Sequence, residues 1–516
     1  MLPANQLTDE QQAIVAHGDG PALVFAVAGA GKTTSLVHRI RVLVTERGMN
    51  PSRILASSFS RATVGDLEQA LDSIGLQAVD TRTLHSLGLR LVRRAEAVGL
   101  RPPRLRSQDV DPAALGSRLA HRALTRLAMK RDLDTADLAI DARDLLDQIG
   151  AWKQDLAYAD LDTADLPASA RADASQAEHE NEDVLTLYRI YETLRHEQNA
   201  LTYDDMLVEG WEVLHRYPEI REAAQAAYEQ VLVDEFQDVS RVQDRMLDLL
   251  TEPARPHGSR NYMVVGDDDQ CIYEWRGADP SFLLDVADRY DADEYLITDT
   301  FRSPAPQLAL ANAIIQHNDQ RRAKTLQLTR GFDGHAEIVG QSGREAEAAT
   351  IANRIQTLRA DGRSLDEMVM LVRTYAQTPP LEQVLIDREI PYRIVGNVPF
   401  YRRREVKTLL QYAYWAVLER KRQREGWFDT PREAQRYVDR FARILKRPNR
   451  YVQHDLVDTV CAEAMESQAS VVEVLASRRA AMHDRTAERV NTFCSTARRL
   501  VDRLEDPADE VLAALV

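Results

Sequence analysis

Pro21–Ile40, PALVFAVAGAGKTTSLVHRI, carries the strongest structural signal in the sequence. Its apolar, β-branched run Leu23–Val27 predicts a fully buried strand, and apolar residues at helical spacing over Leu36–Val44 predict a helix after it. A loop of small residues separates the two, namely Ala28, Gly29, Ala30 and Gly31. A buried strand, a glycine-rich turn and a helix in this order indicate an α/β fold.

The start of this predicted helix has the features of a phosphate site. Backbone N–H groups of such a loop and the helix dipole both attract a polyphosphate. Lys32 would reach the β- and γ-phosphates, while the Thr33 hydroxyl would hold Mg²⁺. Ala26 replaces the first glycine of the G-x-x-x-x-G-K-[ST] pattern, so the match has one departure. The strand and helix context favours a nucleoside triphosphate site over a turn that binds nothing.

A helix is predicted before this strand, because Thr8 suits an N-cap and Asp9 and Glu10 suit the first turn. Gln11 lies in this helix, and its side-chain amide could read an adenine edge. A capped helix that binds nothing explains the segment equally well.

Composition narrows the class of protein. A chain of 516 residues is too long for one core, and its 44% hydrophobic and 28% charged fractions are typical of soluble globular proteins. No apolar stretch approaches membrane-spanning length, and the N-terminus does not resemble a signal peptide. The three cysteines form no C-x-x-C pair, so no disulfide framework or zinc site is indicated. We expect a cytoplasmic protein without a membrane partner.

The net charge of −16 argues against a generally basic nucleic-acid binder. It leaves room for a local basic groove, because the field at a surface depends on where the charges lie.

Two further buried strands are predicted, in Ile54–Arg61 and in Thr81–His85. Ligands of open α/β sheets collect at the C-terminal ends of strands. Three side chains at these ends could stack on and pair with a bound chain, namely Phe59, Arg61 and His85. For Phe59 or His85 taken alone, ordinary packing is the better explanation.

The segment from Leu89 to Tyr203 is predicted to be helical, with no convincing strand. Within it, Asp155–Glu182 is rich in Ala and Asp and poor in large apolar residues, which predicts an exposed region. We interpret the whole segment as a helical insertion into the α/β domain.

The α/β pattern resumes at Val231–Asp238, VLVDEFQD, where an apolar strand ends in Asp234 and Glu235. Paired carboxylates at such a place suit two tasks, since one can organise Mg²⁺ while the other polarises the attacking water. An apolar run that ends in Asp-Glu is common, and the upstream phosphate loop is what makes this interpretation strong.

Two later segments complete the set of candidate residues. In Tyr262–Asp279, Gln270 is placed to sense a γ-phosphate, and three following side chains could stack on single-stranded bases, namely Tyr273, Trp275 and Arg276. A core aromatic cluster is the alternative, but the charges between the rings favour exposure. In the segment LITDTFRSP, Arg302 could stabilise charge on the γ-phosphate.

This ordered set of motifs closely resembles the superfamily 1A DNA helicases of the UvrD/Rep type. The carrying segments span Leu7 to about Leu410 and are LTDEQQ, AVAGAGKTT, SSFSRAT, TRTLHS, VLVDEFQD, VVGDDDQCIYEWRGAD, TFRSP and LVRTYAQTPPLEQVLIDREIPYRIVGNVPFYRRREVKTLL. Proteins of this family hydrolyse ATP to step along single-stranded DNA with 3′→5′ polarity. The resemblance therefore implies ATP and Mg²⁺ as cofactors and single-stranded DNA and single-/double-strand junctions as partners.

The resemblance also implies the domain organisation, a RecA-like P-loop NTPase domain with a helical insertion followed by a partial second RecA-like domain with its own. The implied ranges are 1–88 and 204–280 for the first domain, 89–203 for its insertion, 281–395 for the first part of the second domain, and 396–516 for the second insertion.

Site roles follow from the same resemblance. Gln11 would contact adenine and Phe301 would stack on it. The loop and the first helical turn would hold phosphate and Mg²⁺ through Ala28, Gly29, Ala30, Gly31, Lys32, Thr33 and Thr34. Asp234 and Glu235 would be the metal ligand and the base, with Gln270 and Arg302 on the γ-phosphate. The single-strand track would comprise Phe59, Arg61, His85, Tyr273, Trp275 and Arg276.

Two expected features are not found in the sequence. Relatives carry a motif of Lys-Gly-Leu-Glu-Phe character and a later one that ends in Thr-Arg-Ala, and neither follows Arg302. The last segment, Asp506–Val516, begins like a capped helix but has no C-cap. We therefore expect a truncated chain without the C-terminal motifs. Its alternative function is a nucleotide-gated DNA-binding or interaction subunit of a split system, which needs a protein partner or a separate C-terminal half. A P-loop kinase or transporter ATPase would leave the aromatic residues unexplained.

Overall fold

The computed structural model describes residues 7–104, 111–133, 135, 138, 140–253, 260–396, 399, 402, 404–447, 450 and 452–513. Part of the last family-like segment and residues 514–516 lie outside these ranges. The chain divides into two compact units, residues 1–337 and residues 338–516.

The strands of the described chain all lie in the first unit. They are β1 (Ala22–Ala26), β2 (Ile54–Ser57), β3 (Asp80–Arg82), β4 (Ala157–Tyr158), β5 (Ser175–Gln176), β6 (Gln230–Val233), β7 (Tyr262–Gly266), β8 (Asp293–Ile297), β9 (Asp299–Thr300) and β10 (Gln327–Leu328). Six of them form one sheet in the order β3-β2-β6-β7-β1-β8, in which each neighbouring pair is parallel. The pairs β4–β5 and β9–β10 are separate two-stranded ladders, also parallel. The predicted α/β fold with a parallel central sheet is confirmed.

The helices of the first unit lie between these strands. They are α1 (Asp9–Ala16), α2 (Lys32–Thr45), α3 (Arg61–Asp72), α4 (Leu84–Ala97), α5 (Pro112–Arg131), α6 (Ala142–Gln154), α7 (Ala168–Arg171), α8 (Glu182–Glu197), α9 (Asp205–Arg216), α10 (Pro218–Ala227), α11 (Arg241–Thr251), α12 (Ser281–Leu284), α13 (Val286–Tyr290) and α14 (Ala305–Ile315). They cover both faces of the six-stranded sheet, as is usual for parallel sheets.

Strand β1 shows why this sheet needs cover on both faces. All five of its residues are buried. Leu23 and Phe25 belong to the apolar core on one face, and Val24 and Ala26 belong to the core on the other. Alternate side chains of a strand point to opposite faces, so a continuous apolar run such as this one is stable only between two layers.

The inserted segment is mainly helical and has its own apolar core between α5, α6 and α8. Many residues of the stretch 155–182 are exposed as expected, but Leu156, Leu166 and Ala170 are buried in the core beneath the main sheet. The short β4–β5 ladder also corrects the expectation that this segment has no strand. A few buried leucines and alanines suffice here, since a neighbouring domain supplies most of the apolar surface.

Buried ion pairs join the insertion to α9. The ammonium group of Lys153 lies 2.6 Å from Asp205 Oδ1, and Arg195 Nη1 lies 2.8 Å from Glu209 Oε1. Burial lowers the pKa of Lys153, but the opposing attraction of Asp205 and Glu192 outweighs it and leaves that pKa raised. Removing one partner of such a cluster leaves an uncompensated buried charge, which is strongly destabilising.

The first unit extends past the boundary drawn from the sequence at 280/281. Strand β8 pairs with β1 in parallel through Ala22↔Asp293 to Ala26↔Ile297, and the unit ends at residue 337. A strand following residue 280 therefore belongs to the first sheet. An apolar run predicts a strand but gives no information about which sheet it joins, and this explains the difference.

The second unit is helical in its described part. It contains α15 (Arg344–Ala360), α16 (Thr378–Asp387), α17 (Arg404–Glu425), α18 (Pro431–Leu445), α19 (His454–Ser467), α20 (Val471–Ser477), α21 (Asp484–Asp502) and α22 (Ala508–Ala513). Helices α17 to α21 surround an apolar core that includes Trp415, Tyr437, Phe441 and Phe493.

A second parallel sheet was expected within residues 281–395, but the described residues from 338 to 396 contain no strand. Apolar residues of the non-helical segments, such as Ile338, Val369 and Leu371, are exposed instead. A strand forms only when its backbone groups bond to a neighbouring strand, and apolar periodicity cannot supply that neighbour. The remaining domain ranges stay predictions.

Among the helices in the described ranges, none has both the length and the apolarity required to span a bilayer. The cytoplasmic location stays a prediction.

Candidate functional site

The C-terminal ends of the six parallel strands share one edge of the sheet, and most predicted site residues lie there. Along this edge the order is His85 after β3, Phe59 and Arg61 after β2, Asp234 and Glu235 after β6, Gln270 to Arg276 after β7, the phosphate loop after β1, and Phe301 and Arg302 after β8 and β9. Of the predicted residues only Gln11 lies elsewhere, in α1. One sheet edge therefore brings together both predicted sets, those for phosphate and those for bases.

The phosphate loop has the backbone shape that its glycines allow. Gly29 and Gly31 have φ angles of +76° and +78°, in the left-handed region that side chains disfavour. Gly31 precedes the first residue of α2 and has no side chain to accept from the first-turn N–H groups. Lys32, Thr33 and Thr34 form that first turn. The helix end is therefore open to an anion.

The carboxylate pair after β6 contacts the phosphate loop directly. Lys32 Nζ donates to Glu235 Oε2 at 2.6 Å, and Thr33 Oγ1 donates to Asp234 Oδ2 at 3.0 Å. Glu235 has a positive φ of 53°, a conformation that costs energy in a residue other than glycine. The sequence prediction that these four side chains form one site agrees with this geometry, although their roles stay predictions.

Two carboxylic acids of this site have raised pKa values. Burial and then the neighbouring Glu235 raise the pKa of Asp234 to about 6. The same two causes raise the pKa of Asp238 to about 7. Crowded carboxylates in a buried cleft of this kind are typical of functional sites, because a bound cation or substrate supplies the missing positive charge.

The segment after β8 runs along the phosphate loop. Thr300 Oγ1 donates to the Ala28 carbonyl at 2.7 Å, and the N–H of Phe301 donates to the Gly29 carbonyl at 3.0 Å. A Cβ atom on Gly29 would lie 2.8 Å from Thr300 Oγ1 and would collide with Arg302. The ring of Phe301 is 43% exposed. Phe301 and Arg302 are therefore next to the loop on which their predicted adenine and γ-phosphate contacts depend.

Gln11 lies behind the phosphate loop. Its Nε2 donates to the Ala30 carbonyl at 2.9 Å, and its Oε1 accepts from the Thr8 N–H at 3.1 Å. The residue is only 1% exposed. In this arrangement Gln11 supports the loop, and its contact with adenine stays a prediction.

The loops after β6 and β7 are joined by hydrogen bonds. Gln237 Nε2 donates to Glu235 Oε2 at 2.9 Å, and Gln237 Oε1 accepts from the Asp267 N–H at 3.0 Å. The side chain of Asp267 in turn accepts from Gln270 Nε2 at 2.6 Å. Gln237 was not among the predicted residues, and its place in the DEFQD segment, two residues after Glu235, was the available signal.

The aromatic side chains predicted to stack on bases form one surface, which we call the aromatic strip (Phe59, Tyr273, Trp275 and Arg276). The rings of Phe59 and Tyr273 have centroids 4.8 Å apart, and those of Tyr273 and Trp275 lie 6.4 Å apart. The Arg276 guanidinium lies 5.2 Å from the Trp275 ring. Trp275 is 68% exposed, so the alternative of a core aromatic cluster does not hold for it.

His85 and Tyr203 extend this surface. Their rings stack with centroids 4.0 Å apart, and both line a groove of about 550 Å³ together with Arg61. Burial, followed by Arg276 and Arg61, lowers the pKa of His85 to about 3, so the imidazole is neutral. Tyr203 was missed from the sequence because it ends the inserted segment, far along the chain from the other aromatic residues. Its only signal in the sequence was an aromatic residue between two polar ones, Thr202 and Asp204.

Two family models match the chain. The model of the UvrD/REP helicase N-terminal domain matches residues 7–291, and the model of the UvrD-like helicase C-terminal domain matches residues 295–510. The chain belongs to the UvrD/Rep helicase family. The expectation that the C-terminal motifs are missing is not borne out, because the second model matches most of the chain after residue 295. Short motif strings vary between relatives, whereas the pattern of apolar positions over a whole domain persists.

Curated relatives agree with this family. The chain is 29% identical over 411 residues to an ATP-dependent DNA helicase PcrA of Staphylococcus epidermidis, with 79% of the chain and 53% of the relative covered. It is 29% identical over 413 residues to a protein of the same description from Staphylococcus aureus, with the same coverage. The chain thus spans about half the length of these curated relatives.

Proposed function

We propose that this chain is an ATP-driven motor that acts on single-stranded DNA, with the 3′→5′ polarity of its family. The observation that carries the proposal is the shared sheet edge. Gln270, on the nucleotide side, and Tyr273, in the aromatic strip, lie three residues apart in one loop after β7. A change at the nucleotide thus reaches the DNA through the shortest covalent path.

The first chemical step is attack of water on the γ-phosphorus of ATP. The water oxygen bonds to phosphorus while the bond to the β–γ bridging oxygen breaks, which gives ADP and inorganic phosphate. Glu235 takes the proton of the attacking water. Lys32 Nζ donates to this carboxylate at 2.6 Å. The triphosphate competes for Lys32, and this exchange leaves Glu235 available as the base.

The residues around Thr33 fit a magnesium ion. Its hydroxyl oxygen and the Asp234 carboxylate converge to 3.0 Å, and hard divalent cations prefer such oxygen ligands. Burial and the neighbouring Glu235 raise the pKa of Asp234, so added positive charge at this carboxylate would favour its ionised form. Bound Mg²⁺ would supply positive charge for the phosphate oxygens, while Thr33 and Asp234 would hold it.

Movement requires that the nucleotide and the DNA favour the same conformations. Gln237 and Asp267 connect Glu235 to Gln270, and the aromatic strip begins three residues after Gln270. We infer that contact of Gln270 with the γ-phosphate shifts the loop that carries Tyr273 and Trp275. A ligand shifts such an equilibrium only by its difference in affinity for the two conformations. Hydrolysis of ATP must therefore change the affinity of the aromatic strip for the bases.

Strand separation tests this proposal. A partial duplex with a 3′ single-stranded tail should be unwound in the presence of ATP and Mg²⁺, whereas one with a 5′ tail should not. Lys32→Ala and Glu235→Gln should each abolish unwinding. Unwinding of the 5′-tailed duplex alone would contradict the polarity, and ATP turnover that ignores DNA would contradict the motor.

A second candidate is a nucleotide-gated DNA-binding or interaction subunit without its own turnover. The observation that favours it is the absence of a second parallel sheet in the described part of residues 338–396. It predicts that a non-hydrolysable ATP analogue changes the affinity for single-stranded DNA, while no phosphate is released from ATP.

A further inference from the structure

Lys324 is a buried lysine that none of the roles above uses. Its side chain is 0% exposed, and its Nζ lies 3.1 Å from Asp267 Oδ1 and 2.7 Å from Asp269 Oδ2. It also pairs with Asp268, whose side chain is fully buried. Burial lowers the pKa of Lys324, but the aspartates outweigh that effect and leave it raised, so the lysine stays charged. One ammonium group therefore contacts all three carboxylates of the loop that precedes Gln270, and Arg321 pairs with one of them, Asp269.

This contact leads directly to a predicted γ-phosphate residue. Asp267 Oδ1 faces Lys324, and Asp267 Oδ2 accepts from Gln270 Nε2 at 2.6 Å. The main-chain N–H of Asp267 is held by Gln237, which also bonds to Glu235. Lys324 is thus two contacts away from Gln270, and its charge fixes the carboxylate that orients the Gln270 amide.

The segment that carries Lys324 also reaches the other predicted γ-phosphate residue. We call residues 321–330 the strap. Its strand β10 pairs with β9, which leads into Phe301 and Arg302. At the end of the strap, Arg330 Nη1 donates to the Arg302 carbonyl at 2.9 Å. At its beginning, the N–H of Arg322 donates to Asp268 Oδ2 at 2.6 Å. One short segment therefore contacts the Gln270 loop at one end and Arg302 at the other.

We propose that the strap, anchored by Lys324, is a positioning element that holds Gln270 and Arg302 in register for the γ-phosphate. This inference rests on the proposed function, because it assigns Lys324 to the ATP hydrolysis of that same site. Lys324 is a positioning residue and touches no reacting atom. Its removal should impair the step in which the γ-phosphate is held, and should leave the remaining nucleotide contacts and the aromatic strip intact.

The test is the steady-state kinetics of DNA-stimulated ATP hydrolysis by the whole chain and its Lys324→Met variant. Methionine keeps an unbranched apolar side chain but removes the charge. We expect kcat to fall by at least about tenfold, on the scale of a misplaced catalytic group, while KM for ATP and the affinity for single-stranded DNA change little.

Arg289→Met is the matched control. Arg289 Nη1 donates to Asp244 Oδ2 at 2.7 Å in a partly buried ion pair outside the strap and outside the loops of the candidate site. Its removal should lower thermal stability as a lost ion pair does, without the fall in kcat. Lys324→Met/Asp268→Asn removes the excess charge, so it should regain thermal stability while kcat stays low.

Three outcomes would overturn the inference. They are an unchanged kcat in Lys324→Met, an equal fall of kcat in Arg289→Met, and recovery of kcat in the double variant along with its stability. A wild-type chain without DNA-stimulated hydrolysis would instead contradict the proposed function, so the two failures are distinguishable.

Discussion

The sheet edge carries two sets of side chains that differ in burial, which we call its nucleotide flank and its DNA flank although their strands alternate in the sheet. On the nucleotide flank, after β1 and β6, the functional side chains are buried and bonded to each other, as Lys32 is to Glu235 and Thr33 is to Asp234. On the DNA flank, after β2 and β7, the aromatic strip leaves Trp275 exposed to solvent. A buried charge needs a nearby opposite charge or hydrogen bonds, whereas a stacking site needs only open ring faces.

The difference teaches where each ligand must compete. In the proposed function ATP would compete with Glu235 for Lys32, so its binding would change contacts inside the protein. A stacked base would only cover a ring, so its binding would change little else. The loop after β7 belongs to both flanks, and this makes it the place where one event can drive the other.

The largest expected effect is a loss of ATP hydrolysis, from a substitution that disables the nucleotide flank alone. Glu235→Gln keeps the size of the side chain but removes the base, so DNA-stimulated ATP hydrolysis should fall by about 10²- to 10⁴-fold. The affinity for single-stranded DNA without nucleotide should stay the same. Glu229→Gln, at the opposite end of β6, is the matched control and should hydrolyse ATP like the wild type. A comparable loss in the Glu229 variant would show that the effect is not specific to the site.

The free energy of unfolding gives a second test of the nucleotide flank, through Asp234. Asp234 has a pKa raised to about 6 in the fold, so its contribution to stability is present at low pH and is lost as the pH rises through about 6. At pH 7.5 the buried carboxylate costs about 3 kcal/mol, and Asp234→Asn removes that cost but loses a hydrogen bond from the Glu235 N–H worth about 1 kcal/mol. The variant should therefore gain about 2 kcal/mol in free energy of unfolding.

Denaturant unfolding in metal-free buffer at pH 7.5 and at pH 4 checks this prediction. The gain should disappear at pH 4, where the wild-type carboxyl is largely protonated. A variant less stable than wild type at pH 7.5 would contradict the burial argument.

The substitution Trp275→Ala tests the DNA flank, because it removes an exposed ring of the aromatic strip. Loss of one stacked base should weaken binding of a short oligothymidylate by about 1–3 kcal/mol, with ATP binding unchanged. Phe332→Ala removes another exposed ring of the same unit, one outside the aromatic strip, and should bind normally. Fluorescence anisotropy of a labelled oligonucleotide measures both. Equal affinities of the wild type and the Trp275 variant would remove this residue from the track.

The smallest expected effect concerns Tyr203, whose ring covers His85. Tyr203→Ala should weaken single-stranded DNA binding by about 1 kcal/mol, and Tyr203→Phe, which keeps the ring, should not. Since the pKa of His85 is lowered to about 3, its protonation should cause no step in DNA affinity between pH 6 and 8. A step near pH 6.5 that His85→Asn abolishes would contradict the neutral imidazole.

The sequence predicted the position of most candidates on this edge, because most of them follow an apolar run. Parallel strands end at one edge, so Asp234 and Glu235 had to lie near the phosphate loop once both runs were assigned to one sheet. The exposure of Trp275 also followed from the local pattern, since the charged residues Glu274 and Arg276 stand on either side of it. These inferences need only short-range information.

What was missed depends on long-range pairing. No local pattern places β8 beside β1, so the first unit was drawn too short. A lone lysine such as Lys324 is usually solvated, and only the fold shows that three aspartates surround it. Tyr203 likewise reaches the groove from the end of an insertion. In each case a partner distant in the chain gives the residue its role.

The central claim is that one sheet edge couples a nucleotide to a polynucleotide. The most direct test is the rate of ATP hydrolysis by this chain as single-stranded DNA is titrated in. We predict that the rate rises with DNA to a plateau, and that Trp275→Ala shifts the midpoint to a DNA concentration about 5- to 150-fold higher without abolishing the plateau. The same rate with and without DNA would contradict the account.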